Sequence, residues 1–564
     1  MDINIKQVSS LETIFSYETA ENKQNAIAFR GERFSYQIVI KPSKSFRYKI
    51  NLKSPELAKN ITVYKVRNAV LDLVSSSLSD NESIRLTDSP CLMPDILVPM
   101  EEEKNFMVMK EDETDILWVR VDVPEDMPEG TYPITIEFIP QNTQSWEPHA
   151  ENVTSTTFNL EVLPFTVPKQ TLKYTQWFYA DCIADYYNVP VYSERHWELI
   201  EEYVKVAVDT GINVILTPVI TPPLDTGFGL YRTNVQLVDI KVNGEKYSFN
   251  FEKLYRWIDV CSRQGIKYFE ICQLFSQWGL KFTPGIVADV NGKDEYIFGW
   301  HMPSTDPKYA DFLKQFIPAL VEALKQKGVF ENTMFHTSDE PQEHVYEMYK
   351  YAHDLLKPMI GSAKLMDALS DYSFFEKGLV DIPVTHTPNM TDFIGKDVKE
   401  QWVYYAEDVK CVSTRHMTSP PWRNRSLGVQ LYKYDIKGFL HWGFNFYNTS
   451  LSRHKINPYL TTSGYKSLAS GGPFSVYPSQ DGAWLSPRAL VFYEGLQDMA
   501  ICKLLEEYVG KDEAIRIIEQ EAGMEITFTE YPRDSEFLPR LRNRIAEEIK
   551  KATANKNKIF YGII

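Results

Sequence analysis

The residues best suited to chemistry are two adjacent carboxylates, Asp339 and Glu340, in the run His336-Thr337-Ser338-Asp339-Glu340-Pro341. The stretch "NTMFHTS" before them reads as a strand, and the residues after them read as a helix. Successive strand residues point to opposite faces, so both carboxylates can address one pocket only where the strand is ending. Pro341 supports an ending there, because proline suits the first turn of a helix. Two carboxylates at close range resist joint ionisation, so one can stay protonated near neutral pH. The pair can then supply a general acid beside a charge stabiliser. The competing role is a helix cap, since negative charge is favourable at a helix N-terminus. The tripeptide alone does not separate the two roles; the surrounding architecture does.

That architecture reads in three parts. Residues 1–168 carry short alternating runs such as "RFSYQIVI", "DILWVRVDV" and "TYPITIEFI", separated by turn residues, and are expected to form a β-sandwich. From residue 169 to 490 strands and helices alternate, which implies parallel βαβ units. The expected strands are "KYTQWFY", "NVILTP", "YFEICQLF", "NTMFHTS", "KLMDAL", "DIPVTHT", "QWVYYAE" and "GFLHWGFNFY". Eight in this order predict a (β/α)8 TIM-like barrel, with Asp339 and Glu340 at the C-terminal end of the fourth strand, where barrel enzymes place their chemistry. Hairpin insertions are expected near 233–251 and 281–300, standing over that rim. Residues 491–564 read as a helical region packed on the barrel; its last helix aligns Leu538, Leu541, Ile545 and Ile549 on one face.

Composition removes several classes of function. The chain has 564 residues and a net charge of −16 with no basic stripe, which disfavours nucleic acid. Aromatics reach 13%, a composition that suits sugar-ring stacking and a large core alike. The six cysteines include no C-x-x-C pair and read as buried free thiols. No H-E-x-x-H motif, phosphate loop or full dinucleotide glycine pattern is present, so neither a metal nor a cofactor is expected. "MDINIKQVSS" has no apolar signal core and no run approaches the ~18 apolar residues of a spanning helix, so a cytoplasmic protein without membrane insertion is expected. Oligomeric state is not legible.

"HTSDEP" on strand four resembles glycoside hydrolase family 123, the N-acetyl-β-galactosaminidases. "GGPFSVYPSQDGAWLSPRALVFYEGLQDMAICKLL" resembles that family's C-terminal signature through Ser486, Arg488, Gly495 and Asp498. The resemblance implies an exo-acting glycosidase that releases terminal β-linked N-acetylgalactosamine from an oligosaccharide or glycolipid-derived glycan. It also implies substrate-assisted retention, an exception to the two-carboxylate rule of glycosidases. Carried over, Glu340 is the general acid/base. Asp339 holds the acetamido N–H and stabilises the oxazolinium ion as the substrate's own carbonyl oxygen attacks C1. Candidate subsite walls lie at the strand ends. Trp442 and Asn445 are at the eighth strand, to stack on a pyranose ring and bond a hydroxyl. Tyr404 and Tyr405 end the seventh, where alternation lets one point inward and Tyr405 is favoured. His386 and Asn389 come after the sixth, and Trp278 and Trp300 lie in loops after the third. His336 reads as a buried support for the carboxylate loop.

Two other readings stay open at this level. A double-displacement glycosidase would use Glu340 as acid/base and Glu407, near the end of strand seven, as nucleophile. Its carboxyls would stand about 5 Å apart. A non-catalytic carbohydrate-binding protein on an inactive barrel would have no need of a matched acid pair.

Overall fold

The structure is a computed structural model that describes residues 3–75, 84–141, 153–406 and 411–561. Its N-terminal part is built from two facing sheets. One has the order Ile3–Ser9, Arg33–Pro42, Asp115–Asp122, Ile61–Leu71, Cys91–Pro99, and is continued by the hairpin Val476–Pro478/Ala483–Leu485 from far along the chain. The other has the order Asn25–Arg30, Thr154–Thr166, Gly130–Gln141, Phe46–Lys53, Phe106–Met109. Period-2 patterning builds the core between them. Phe158, Leu160 and Val162 are buried while Asn159 and Glu161 face solvent, and the inward set meets Tyr36, Ile38, Leu117 and Val119.

The central part is a nearly closed parallel barrel. Its strands are β1 (Lys173–Gln176), β2 (Val214–Thr217), β3 (Tyr268–Ile271), β4 (Thr333–Phe335), β5 (Lys364–Leu369), β6 (Ile382–His386), β7 (Trp402–Tyr404) and β8 (Gly438–His441). Hydrogen-bonded neighbours run from β2 through β3 to β8 and on to β1. All eight strands fall where the apolar runs place them. At the seam between β1 and β2, Asn213 substitutes for a ladder: its side-chain Oδ1 accepts from Tyr174 N at 2.8 Å, while its backbone N–H donates to Tyr174 O at 3.0 Å.

The crossovers are less regular than the ideal (β/α)8 pattern. Long helices Glu194–Asp209, Glu252–Gln264 and Pro307–Gln326 follow β1, β2 and β3. After β5 there is only a one-turn helix, Ser373–Glu376, and after β6 a 3₁₀ segment, Thr387–Asp392. These two connections are short and carry Gly378, Pro388 and Gly395, so they lack the periodic apolar face a packed helix needs. The expected insertions are present as hairpins Asp239–Asn243/Lys246–Asn250 and Ile286–Val290/Lys293–Phe298, joined in one four-stranded sheet.

The C-terminal helices Pro487–Val509, Lys511–Ala522 and Phe537–Tyr561 tie the parts together. Ser486 caps the first of them, accepting from Ala489 N. Arg488 makes a bidentate pair with Asp95 of the sandwich at 2.8 and 2.8 Å. Asp498 accepts from Arg425 and from Arg542, and Arg542 also binds Glu32. A Cβ on Gly495 would lie 2.8 Å from the Arg425 carbonyl oxygen, so glycine lets the helix Pro487–Val509 cross the short helix Pro421–Arg425 closely. Of the four signature residues, Arg488, Gly495 and Asp498 are thus joints between parts of the fold, and Ser486 caps the helix that carries them. The first sheet also takes two strands from within 169–490, so the sandwich and barrel share a sheet across the expected boundary at 168.

Candidate active site

Strand β4 ends at Phe335, and the chain continues extended between β3 and β5. Phe275 N donates to Thr337 O at 3.0 Å, and Ser338 Oγ donates to Ser276 O at 2.9 Å. On the other side the N–H groups of Thr337 and Ser338 donate to Asp367 Oδ2 at 3.2 and 3.4 Å, and Glu340 N donates to Ala368 O at 3.1 Å. The carboxylate loop is therefore laced to both neighbouring strands. Pro341 does not open a helix as expected. A 3₁₀ turn, Glu343–Val345, comes first, and the helix spans Tyr346–Leu356. Neither carboxylate serves as a side-chain cap for that helix.

Under the loop lies a buried charge cluster. His336 is fully enclosed, with Nδ1 3.1 Å from Asp367 Oδ1 and Nε2 3.0 Å from Glu270 Oε2. Burial alone would push the imidazole down, but hydrogen bonds and charge from Asp367 and Glu270 carry it up to about 9. Glu270 is held by the Thr175 hydroxyl and Asp367 by the Tyr349 hydroxyl. His336 is thus the buried support that its position suggests.

Asp339 and Glu340 have different surroundings. Asp339 is 5% exposed, and its Oδ2 accepts from Gln277 Nε2 at 2.7 Å. Burial first, and Glu340 second, push its carboxyl well above the usual carboxylate range. Glu340 is half-buried and accepts on Oε1 from the Tyr404 hydroxyl at 2.6 Å. Its φ of 44° lies in the left-handed region, uncommon for a non-glycine residue. Glu340 is the second cause of the raised Asp339 pKa, so the two carboxylates lie close together. Tyr404 accordingly feels the charge of both, and burial together with that charge raises its phenol well above the ordinary value.

The surrounding candidates separate clearly. His386 stacks on Tyr404 with ring centroids 4.9 Å apart; its Nε2 is buried and has no partner among the described residues. Burial lowers its pKa to about 4, with Asn389 beside it opposing, so the ring is neutral near pH 7. Trp442 is half-buried beside His441 and Phe446. Trp278 is 51% exposed at the rim, and Trp300 donates from Nε1 to Leu230 O at 2.6 Å while packing on Phe228 and Phe282.

Tyr405 and Asn445 do not face the carboxylates. Tyr405 points the other way, 1% exposed, with its hydroxyl on Asn424 Oδ1 at 3.0 Å and its ring against Phe439. Of the two adjacent tyrosines it is Tyr404 that reaches Glu340, so the preference for Tyr405 is reversed by the register of β7. Asn445 is fully buried and spends both ends of its amide on the backbone of Tyr179, at 2.9 and 3.1 Å. It locks the exit of β1 to that of β8 and, being fully buried, is out of reach of a substrate hydroxyl. Glu407, the nucleophile of the double-displacement reading, lies outside the described residues. Gln277 is not legible in the sequence: a glutamine in "LFSQWGL" carries no motif, and only the loop path after β3 brings it to Asp339.

Among the described residues no group of three or more His, Cys, Asp or Glu is placed to hold a metal, and no helix is long and apolar enough to cross a membrane. None of the six cysteines is in a disulfide; Cys91 and Cys411 are half-buried and the other four buried.

A parallel barrel with a paired, unequally buried set of carboxylates at its C-terminal rim defines a barrel enzyme. Residues 177–505 match the model of the glycoside hydrolase 123 catalytic domain, and residues 10–139 match the family's N-terminal domain. The chain belongs to glycoside hydrolase family 123 and is by that membership a glycoside hydrolase. It is similar along its whole length to a family 123 glycoside hydrolase from Clostridium perfringens, solved in a study of glycolipid glycan hydrolysis. The TM-score is 0.72 at 17% identity, with 100% of each chain covered, a likeness of fold. A family 2 glycosyl hydrolase from Bacteroides cellulosilyticus is far more distant, with TM-score 0.25 and 10% identity over 73% of this chain and 44% of that one. No curated protein matches the chain.

Proposed function

We propose that the protein is an N-acetyl-β-galactosaminidase acting by substrate-assisted retention on a glycan with terminal β-linked N-acetylgalactosamine. The observation that carries this reading is the pairing of a buried Asp339 with a more open Glu340 close together on one loop, each with its own hydrogen-bond donor. Glu340, near solvent and touched by Tyr404, protonates the departing glycosidic oxygen and later activates water. Asp339 receives the acetamido N–H and stabilises positive charge as it develops on that nitrogen. The acetamido oxygen is the nucleophile, tethered at an effective molarity of about 10⁵ M or more. His386, half-buried and stacked on Tyr404, is proposed as part of the wall of the sugar subsite. Trp442, Trp278 and Trp300 offer aromatic faces for the sugar and the leaving group. The glycolipid glycans named for the Clostridium perfringens relative make an oligosaccharide or glycolipid-derived glycan the substrate class to examine first.

The test is a screen of aryl β-glycosides of GalNAc, GlcNAc, galactose and glucose, with product anomer followed by NMR and inhibition by a thiazoline mimic of the oxazolinium ion. Retention, a requirement for the acetamido group and thiazoline inhibition are expected. Efficient cleavage of a β-galactoside would sink the substrate-assisted reading and promote the double-displacement one.

A further inference from the structure

Gln277 sits at the centre of a latch that joins four loops of the barrel rim. Its Nε2 donates to Asp339 Oδ2 at 2.7 Å, and its Oε1 accepts from Asp225 N at 2.5 Å. Asp225, in the loop after β2, accepts on Oδ1 from Leu451 N at 2.9 Å and on its carbonyl oxygen from Ser452 Oγ at 2.6 Å. Leu451 and Ser452 belong to the loop after β8. The same β2 loop is pinned by Arg232, whose guanidinium is bidentate to buried Asp181 at 2.8 and 2.8 Å and donates to Leu224 O at 3.1 Å. Asp225, Leu451 and Ser452 hold φ values of 40°, 59° and 49°, and Trp278 beside Gln277 holds 54°. Left-handed non-glycine residues persist where the surrounding structure over-determines them, and they gather at functional sites.

The latch has a polarity. A backbone N–H occupies the oxygen of the Gln277 amide, so the amide cannot flip without setting two donors against each other. The end turned to Asp339 is always a donor. One oxygen of Asp339 is thereby taken up, and the other remains for an incoming group.

We propose that Gln277 is a positioning residue for Asp339: it fixes which carboxylate oxygen faces the substrate and favours the charged form on which the substrate-assisted reading depends. The inference rests on that reading. The groups that bear on Asp339 are Glu340, Asp367, His336 and Tyr404, besides Gln277. Burial and Glu340 raise its pKa, and the Gln277 donor is the largest influence lowering it. Removing that donor therefore raises the Asp339 pKa further and leaves less of it ionised at a given pH.

Two variants separate this role from a merely structural one. Gln277→Met deletes the donor. On an aryl β-GalNAc substrate kcat should fall about 10–100-fold near neutral pH, the worth of a hydrogen bond to a charged group, with KM little changed. The deficit should shrink as pH rises, because Asp339 then ionises without help. Gln277→Glu is nearly isosteric and can donate only while protonated, so its deficit should grow as pH rises. A double-mutant cycle completes the test: in an Asp339→Asn background Gln277→Met should cost little further rate. Opposite pH trends and strong non-additivity support the proposal. A pH-independent loss shared by both Gln277 variants, or an additive cycle with an inactive Asp339→Asn, overturns it while leaving the substrate-assisted reading intact. If Asp339→Asn itself keeps the wild-type kcat, the substrate-assisted reading fails and the role of Gln277 falls with it. Should Gln277→Met unfold, the pH trend of Gln277→Glu decides alone.

Discussion

Replacing Asp339 by asparagine removes the charge of the site while nearly preserving its shape. Asp339 is 5% exposed; burial and Glu340 raise its carboxyl pKa, the Gln277 donor on Oδ2 opposes them, and the ionised form is poorly screened. An asparagine must choose. If its amide oxygen faces Gln277, its NH₂ group meets the acetamido N–H and two donors confront each other. If it turns round, the same conflict arises at Gln277, whose amide is held by Asp225 N. Either arrangement removes the negative charge that opposes the developing positive charge on the acetamido nitrogen. Electrostatic groups of this kind contribute on the order of 3–4 kcal/mol, or about 10²–10³-fold in kcat. The lost charge belongs to the transition state and lowers kcat, while the donor conflict is already present with bound substrate, so KM should rise as well. The assay is steady-state kinetics on aryl β-GalNAc substrates spanning phenol acidity. A more acidic phenol should not rescue Asp339→Asn, because the defect lies in the nucleophile and not in leaving-group departure. Equal leaving-group dependence in Asp339→Asn and Glu340→Gln would refute the assignment, as would an unchanged kcat.

Glu340→Gln should lose about 10²–10⁴-fold on substrates with basic leaving groups, and an acidic phenol should recover much of the first step; wild-type rates on natural-type glycans would show that the acid lies elsewhere. Arg488→Met leaves Asp95 buried without its bidentate partner, so stability should fall by about 3–5 kcal/mol, read as a lowered Tm, with the turnover of folded enzyme unchanged. His336 has a folded pKa of about 9, above its unfolded value. Its contribution, about 3 kcal/mol from the size of that shift, is therefore fully present below pH ~6.5 and lost as pH rises through about 9. Denaturant melts at pH 6 and 9.5 should show this loss in the wild type and lack it in His336→Gln.

Sequence alone determined the barrel strands and the position of the adjacent carboxylates after β4. The eight barrel strands are short, mostly apolar runs bounded by turn residues, and local patterning suffices to place them because strands buried on both faces read as near-continuous apolar stretches. Asp339 and Glu340 were legible for a related reason: two charges at the end of such a run are costly unless they are used or paired. The signature at Ser486, Arg488, Gly495 and Asp498 marked family and order of parts, but its physical purpose, joining barrel to sandwich, appears only once Asp95, Arg425 and Arg542 are seen beside it. The irregular crossovers after β5 and β6 lie in stretches with no strong period of either kind, where packing decides. Which of Tyr404 and Tyr405 faces the carboxylates depended on the register of a three-residue strand, and a slip of one residue exchanges the faces. Asn445 looked like a ligand because a polar residue at a strand end is suggestive; it is fully buried, with its amide bonded to the backbone of Tyr179, 266 positions away in the chain. Gln277 reaches Asp339 across 62 positions through a loop whose path is set by hydrogen bonds to Asp225, Ser276 and Phe282. Such contacts arise from closure of the barrel, which brings loops from different strands to one rim, and no local run of residues encodes them.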